Sequence, residues 1–282
     1  MTIDWGTTIP IIVAFGSATT AQIISHHFSR KREDEKYKKE ALQNLYSPVV
    51  FQIVEYIQLE NFKELMKAKT EFKGEHPLNP TPVFKKALES MGENMKYAHP
   101  DLIMKYEIVK GEIVSSEFAQ SNGEEEEFEN LSVFNAKMDL CGEFLMDFLK
   151  SSREIGALSR VVEDKIKAPL FFTQFYLLLE ELSCVTLTDA LLQEFHLFRG
   201  ILLRPQNKFL EKILNIRKNI NYEFENHFNN KRADRTIEAF NDGYQFVWEF
   251  IEEYSTIHPQ EAEYWKSELE EVLNDDIQYE IE

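Results

Sequence analysis

Residues 5–25 are twenty-one consecutive positions without an ionisable side chain, and no other stretch restricts the chain's possible structures as much. As a helix rising 1.5 Å per residue they extend roughly 31 Å, about the thickness of a bilayer's hydrocarbon core. Arg30, Lys31 and Arg32 follow as a basic stop. Length and flank together predict a membrane-spanning helix. Its apolar mass comes from Ile9, Ile11, Ile12, Val13, Phe15, Ile23 and Ile24, diluted by Thr7, Thr8, Ser17, Thr19, Thr20 and Gln22. A buried or interfacial helix is the competing reading, because the hydropathy is marginal.

Ala14, Ser17, Ala18, Ala21 and Ser25 recur at three- and four-residue steps, so a helix gathers them into one smooth stripe. In lipid, close backbone packing and interhelical hydrogen bonds drive helix association, and small residues permit both. This stripe is the expected packing face of a homo-oligomer, with a solitary anchor as the plainer alternative. Only Asp4 precedes the span, whereas Arg30, Lys31, Arg32, Lys36, Lys38 and Lys39 follow it. The positive-inside rule then puts the N-terminus outside the cytoplasmic (inner) membrane and everything from residue 30 onward in the cytoplasm. A cleaved signal peptide fits less well, since no Lys or Arg precedes the apolar run.

Two cysteines, Cys141 and Cys184, make no disulfide framework and belong to no CxxC pair, so each is expected to be a small buried hydrophobe. The formal charge of −18 argues against a nucleic-acid partner, whose phosphates need cations. The charge is unevenly placed: residues 1–40 hold six Lys/Arg against five Asp/Glu, and the remainder 25 against 44. Such a body is attracted to anionic lipid only at its N-terminal end.

Beyond the span the chain reads as an all-α protein in three parts: an anchor over 1–29, a charged helical stalk over 30–46, and a multi-helix cytoplasmic domain over 47–282 with a sub-boundary near 121–129. In the stalk, Asp34 with Lys38 and Glu35 with Lys39 are acid-first i, i+4 pairs, which support an exposed helix. Ser47-Pro48 has the form of an N-cap followed by proline at the first helical position. From there Val49, Val50, Ile53, Val54, Ile57, Phe62, Leu65 and Met66 keep helical spacing to about residue 69. Gly74, Pro77, Pro80 and Pro82 mark a loop, and His99-Pro100-Asp101 divides the next two helices. Residues 121–129, with four adjacent glutamates, form an acidic break without the spaced oxygens of a calcium loop.

A helix then resumes on Phe128, Leu131, Phe134, Met138, Leu140, Cys141, Phe144, Leu145, Phe148 and Leu149, all expected in the core. Residues 168–203 are the most apolar part of the body, but Glu180-Glu181, Asp189, Glu194 and Arg199 interrupt them. Neither half reaches the length of a span, which predicts a buried central helix pair. Amphipathic helices over 206–230 and 236–254 and one opened by Pro259 complete the chain. The last 24 residues carry nine Asp/Glu and one Lys, a solvated tail or a dock for a basic partner.

The short N-terminal span, the Lys/Arg stop, the Lys/Glu-rich helix and the junction Leu45-Tyr46-Ser47-Pro48 together resemble a group of bacterial single-span proteins, some of them in prophage or anti-phage defence settings. The resemblance covers about the first 60 residues. It implies an architecture and no functional residue.

No phosphate-binding glycine loop, HExxH, paired ExxH or Cys/His cluster occurs. Glu223 and His227 share a helix face but lack a second pair, and metal sites need three or four protein ligands. His26-His27 stand at the expected inner interface, where polar packing is their simplest role. No metal, cofactor or enzymatic activity is therefore expected. The sequence predicts a membrane-tethered adaptor or sensor that contacts lipid and binds a protein partner. The alternatives are a membrane-active effector whose spans cluster and perturb the bilayer, and a helical enzyme whose residues converge only in space. If clustering through the small-residue face matters, Ala18→Leu with Ala21→Leu abolishes any toxicity of the expressed chain at unchanged expression, read by growth and immunoblot; undiminished toxicity rejects the effector.

Overall fold

In a computed structural model, residues 29–69, 79–121, 126–202, 208–225 and 233–279 are described. Those residues are all-helical, without a strand. The span with Ala14, Ser17, Ala18, Ala21 and Ser25, and also His26-His27, lie outside them. No helix among the described residues is long and apolar enough to cross a membrane. Residues 29–41 form α1, a π-helical turn spans Leu42–Tyr46, and nine further helices follow. They are α2 (Ser47–Lys69), α3 (Thr81–Glu93), α4 (Pro100–Ser121), α5 (Glu126–Glu154), α6 (Arg160–Glu181), α7 (Val185–Leu202), α8 (Phe209–Glu225), α9 (Ala233–Ser255) and α10 (Pro259–Tyr279).

The buried central pair is α6 and α7. Helix α6 is covered continuously from Ala168 to Leu179 because that part, Thr173 and Gln174 apart, is apolar on every side, and such a stretch needs neighbours all round. It packs against α2, α5, α7 and α8. Phe171 and Phe175 also reach Phe250 of α9 at ring distances of 5.3 and 4.8 Å, and Phe175 lies 6.3 Å from Trp265 of α10. Phe198 of α7 meets Phe250, Tyr254 and Trp265 at 4.7 to 5.4 Å, most of these pairs edge-on, as ring quadrupoles prefer. Thr173 and Gln174, the polar residues within the covered run of α6, both find partners. Thr173 donates to the Leu170 carbonyl, and the buried Arg217 of α8 grips Glu181 through two nitrogens and Gln174 through a third, at 2.6 Å. Gly142 of α5 leaves room for that Gln174, whose amide nitrogen lies 2.5 Å from where a Cβ would stand.

Local signals explain the helix ends. Gly156, at φ +68°, closes α5 in a Schellman motif: its N–H donates to Arg153 and that of Ala157 to Ser152. Ser159 then caps α6, its hydroxyl accepting from the Val162 N–H at 3.3 Å. Helix α6 thus begins eight residues before the apolar run that marked it in the sequence. Helix α5 starts at Glu126, within the stretch read as a break.

Three other expectations are corrected. Ser47 is no N-cap, because its own backbone is helical and its N–H donates to Leu42 five residues back. Pro48 has no N–H to offer Asn44 and its ring crowds that carbonyl. The π turn takes up the misfit, so the chain stays helical from residue 29 to 69. Leu131 and Phe62 keep helical spacing but stand about half exposed, since no helix among the described residues covers those faces. Cys141 and Cys184 are free and buried, as expected of small hydrophobes.

Phe250 touches four other rings, so Phe250→Ala is expected to lower unfolding free energy by about 3–5 kcal/mol, the usual cost of a large buried cavity, measured by urea denaturation.

Candidate functional site

The basic stop and the stalk lead directly to the body of the protein. Arg30, Lys31 and Arg32 lie exposed on α1. The outer part of α1 is solvated, as expected, but its inner part is docked. Ala41, Leu42, Leu45 and Tyr46 are buried, and the Tyr46 ring lies 5.2 Å from Phe144 of α5. The Tyr46 hydroxyl donates to Asp147 at 3.0 Å. One end further along, Lys38 bonds Glu154 at 2.6 Å in place of the expected pair with Asp34, and Tyr37 donates to the Lys96 carbonyl at 3.3 Å. Residues 38 and 46 thus face 154 and 147, so stalk and α5 run antiparallel.

Acidic groups crowd the junction. Burial, followed by the neighbouring Asp147, pushes the Glu143 carboxyl up to about 7, with Lys105 pulling the other way. Asp147 is also raised by burial, against the Tyr46 hydrogen bond. Lys105 is itself bonded to Asp139.

Two clefts flank α2. The first, about 470 Å³, lies between α2, α5, α6 and α7 and is polar. Glu60 of α2 is buried on its wall, and burial raises its carboxyl despite Lys63 at 3.6 Å. Lys137 of α5 has its ammonium lowered by burial, opposed by Glu60, and rests 5.3 Å over the Phe84 ring. The Tyr56 hydroxyl feels the same carboxylate but closes no hydrogen bond of normal geometry. Across the cleft Tyr176 donates to Asn135 at 2.6 Å, and Asn135 donates to Glu180 at 3.1 Å. A carboxyl pushed up and an ammonium pushed down approach one another in proton affinity, which is the electrostatic requirement of acid–base chemistry.

The second cleft, about 520 Å³, is bounded by α2, α6 and α7 and is more apolar. Phe51 and Phe62 stand on it at 50% and 47% exposure. Eleven residues are three helical turns, so both rings point the same way with Val54, Gln58 and Leu65 between and beyond them. Helix α2 therefore carries two apolar stripes, one in the core and one lining an open groove.

Glu60, Lys137 and the groove were not singled out in the sequence. A signal was present: Glu60 continues the buried stripe of Ile53, Tyr56 and Ile57, and Lys137 interrupts that of Phe134, Met138 and Cys141. Charges on apolar faces mark such places. The Glu223 and His227 side chains lie outside the described ones, and no group of three or more metal-ligating side chains occurs among the described residues. Compared with known proteins, the chain matches no family model, no curated protein and no solved structure.

The raised Glu143 carboxyl fixes a pH dependence. Between its ordinary 4.5 and about 7 the native state holds a proton that the unfolded chain has released, so this group lowers stability as pH rises through that window. Glu143→Gln should melt above the parent at pH 8, with the difference vanishing near pH 4.5, in thermal scans across that range.

Proposed function

We propose that the chain is a membrane-tethered helical module that binds a protein partner at the cytoplasmic face of the bilayer. The observation that carries this reading is the stalk: an exposed basic turn, Arg30-Lys31-Arg32, on a helix whose other end is buried in the body through Leu45 and Tyr46. Behind that turn lie the twenty-one uncharged residues of 5–25. A helix fixed at one end and basic at the other suits a body held at a set distance from lipid headgroups. The partner surface is the α2–α6–α7 groove, whose two aligned phenylalanines suit the apolar face of an amphipathic helix. Self-association through Ala14, Ser17, Ala18, Ala21 and Ser25 completes the reading.

The Glu60–Lys137 cleft favours a second reading, a helical enzyme using proton transfer. Glu60→Gln and Lys137→Met would both abolish activity in that case, whereas an adaptor keeps its partner.

Removing residues 1–28 tests the first reading. The shortened chain is expected in the soluble fraction with the parent's helical circular dichroism, and its persistence in washed membranes rejects the anchor.

A further inference from the structure

A groove of about 1160 Å³ opens at the corner where α5 turns into α6 and is closed on its far side by α7 and α8. Its floor is apolar, with Met146, Leu149, Leu158, Leu170 and Leu214. Its rim carries Lys150, Arg153, Arg160, Lys165 and Lys167 against Glu154, Glu163, Asp164 and Glu211, a small cationic excess in a chain that holds 31 Lys/Arg and 49 Asp/Glu. Several of these cations are engaged: Arg153 and Lys167 share Glu163 at 2.6 and 3.1 Å, and Arg160 faces Asp164 at 3.9 Å. Lys150 and Lys165, exposed on the rim, close no ion pair among the described residues. Beside them Val161 is 68% exposed.

The stalk gives this corner a direction. Lys38 bonds Glu154, which itself lines the groove, and α1 runs antiparallel to α5. Residues 29–37 therefore continue past the end of α5, on the side where the corner lies. At 1.5 Å per residue the eight positions from Lys38 back to Arg30 extend about 12 Å, about one and a half Debye lengths at physiological salt. The apolar floor, Lys150, Lys165 and the exposed Val161 thus lie at the end of α5 past which α1 continues toward Arg30-Lys31-Arg32.

We propose that the α5–α6 corner is a second membrane contact that takes an anionic phospholipid, with Lys150 and Lys165 on the headgroup phosphate and the groove floor receiving the first acyl carbons. This inference rests on the tether reading for its orientation. Each lysine near an anionic surface contributes about 1 kcal/mol, roughly a fivefold gain in lipid affinity. The contact adds a second point of attachment to the one made by the stalk. It also separates the ends of the molecule by charge, since the acidic remainder is repelled from the same surface.

The test uses the full chain carrying Val161→Cys, labelled with an environment-sensitive fluorophore; Cys141 and Cys184 are buried. The labelled chain is reconstituted in vesicles of phosphatidylcholine alone or with phosphatidylglycerol, with flotation and aqueous quenching measured together. The expected result is flotation on both vesicles, with the label shielded from quencher only on the anionic ones. Lys150→Glu with Lys165→Glu removes the shielding without removing flotation, and Lys85→Glu with Lys110→Glu, elsewhere on the surface, leaves it. Flotation on both with equal quenching overturns this proposal and leaves the tether standing. Flotation and shielding confined to anionic vesicles supports the contact and overturns the span. Flotation on neither overturns both. Shielding by polyglutamate without vesicles overturns the lipid assignment, because the groove then recognises acidic protein.

Discussion

Residues 168–179 of helix α6 are covered around their whole circumference, and the arrangement of the other helices follows from hiding them. A helix with one apolar stripe can lie on a surface, but one without a polar face has to be enclosed. Helices α2, α5, α7 and α8 supply walls, while Phe250 and Trp265 bring α9 and α10 into the same cluster. Enclosure leaves no water for polar groups, so Gln174 and Thr173 must be served from within. Arg217 serves Gln174 and at the same time spends its remaining donors on Glu181, which fixes the height of α8 along α6. The flexible part of the design lies elsewhere, in faces that α6 does not need.

Those faces supply the candidate functional surfaces. Helix α2 covers α6 with one stripe and keeps Phe51 and Phe62 for the open groove. Helices α5 and α6 meet at a corner fixed by Gly156 and Ser159, and the cations on either side of that corner converge on one rim. The stalk joins this scaffold without a hinge, because a π turn absorbs Pro48 where a helix break would have freed the stalk to swing. The direction of the stalk thereby becomes a property of the whole body.

Much of this was legible in the sequence. Apolar periodicity located nine helices among the described residues, all but α6 close to their observed bounds, and the charged interruptions in 168–203 marked a buried pair rather than a membrane span. The errors share a cause. Ser47-Pro48 has the local chemistry of a helix start, but Leu45 and Tyr46 before it are anchored against α5, and that anchoring keeps the backbone helical. Phe62 and Leu131 obey the period of their stripes, yet no partner helix among the described residues arrives to cover them. The Glu60–Lys137 approach joins positions 77 residues apart, and no window of sequence contains both.

By itself the sequence determined what local physics decides: helical content, the apolar stripes each helix carries, the uncharged run at 5–25 and the basic turn behind it, because side-chain spacing and charge act within a few turns. Only the tertiary structure decided which stripes remain open, which way the stalk points, and which distant charges meet on a cleft or a rim. Those outcomes depend on how helices far apart in the chain pack around α6, and packing is a property of pairs of surfaces that no single segment encodes.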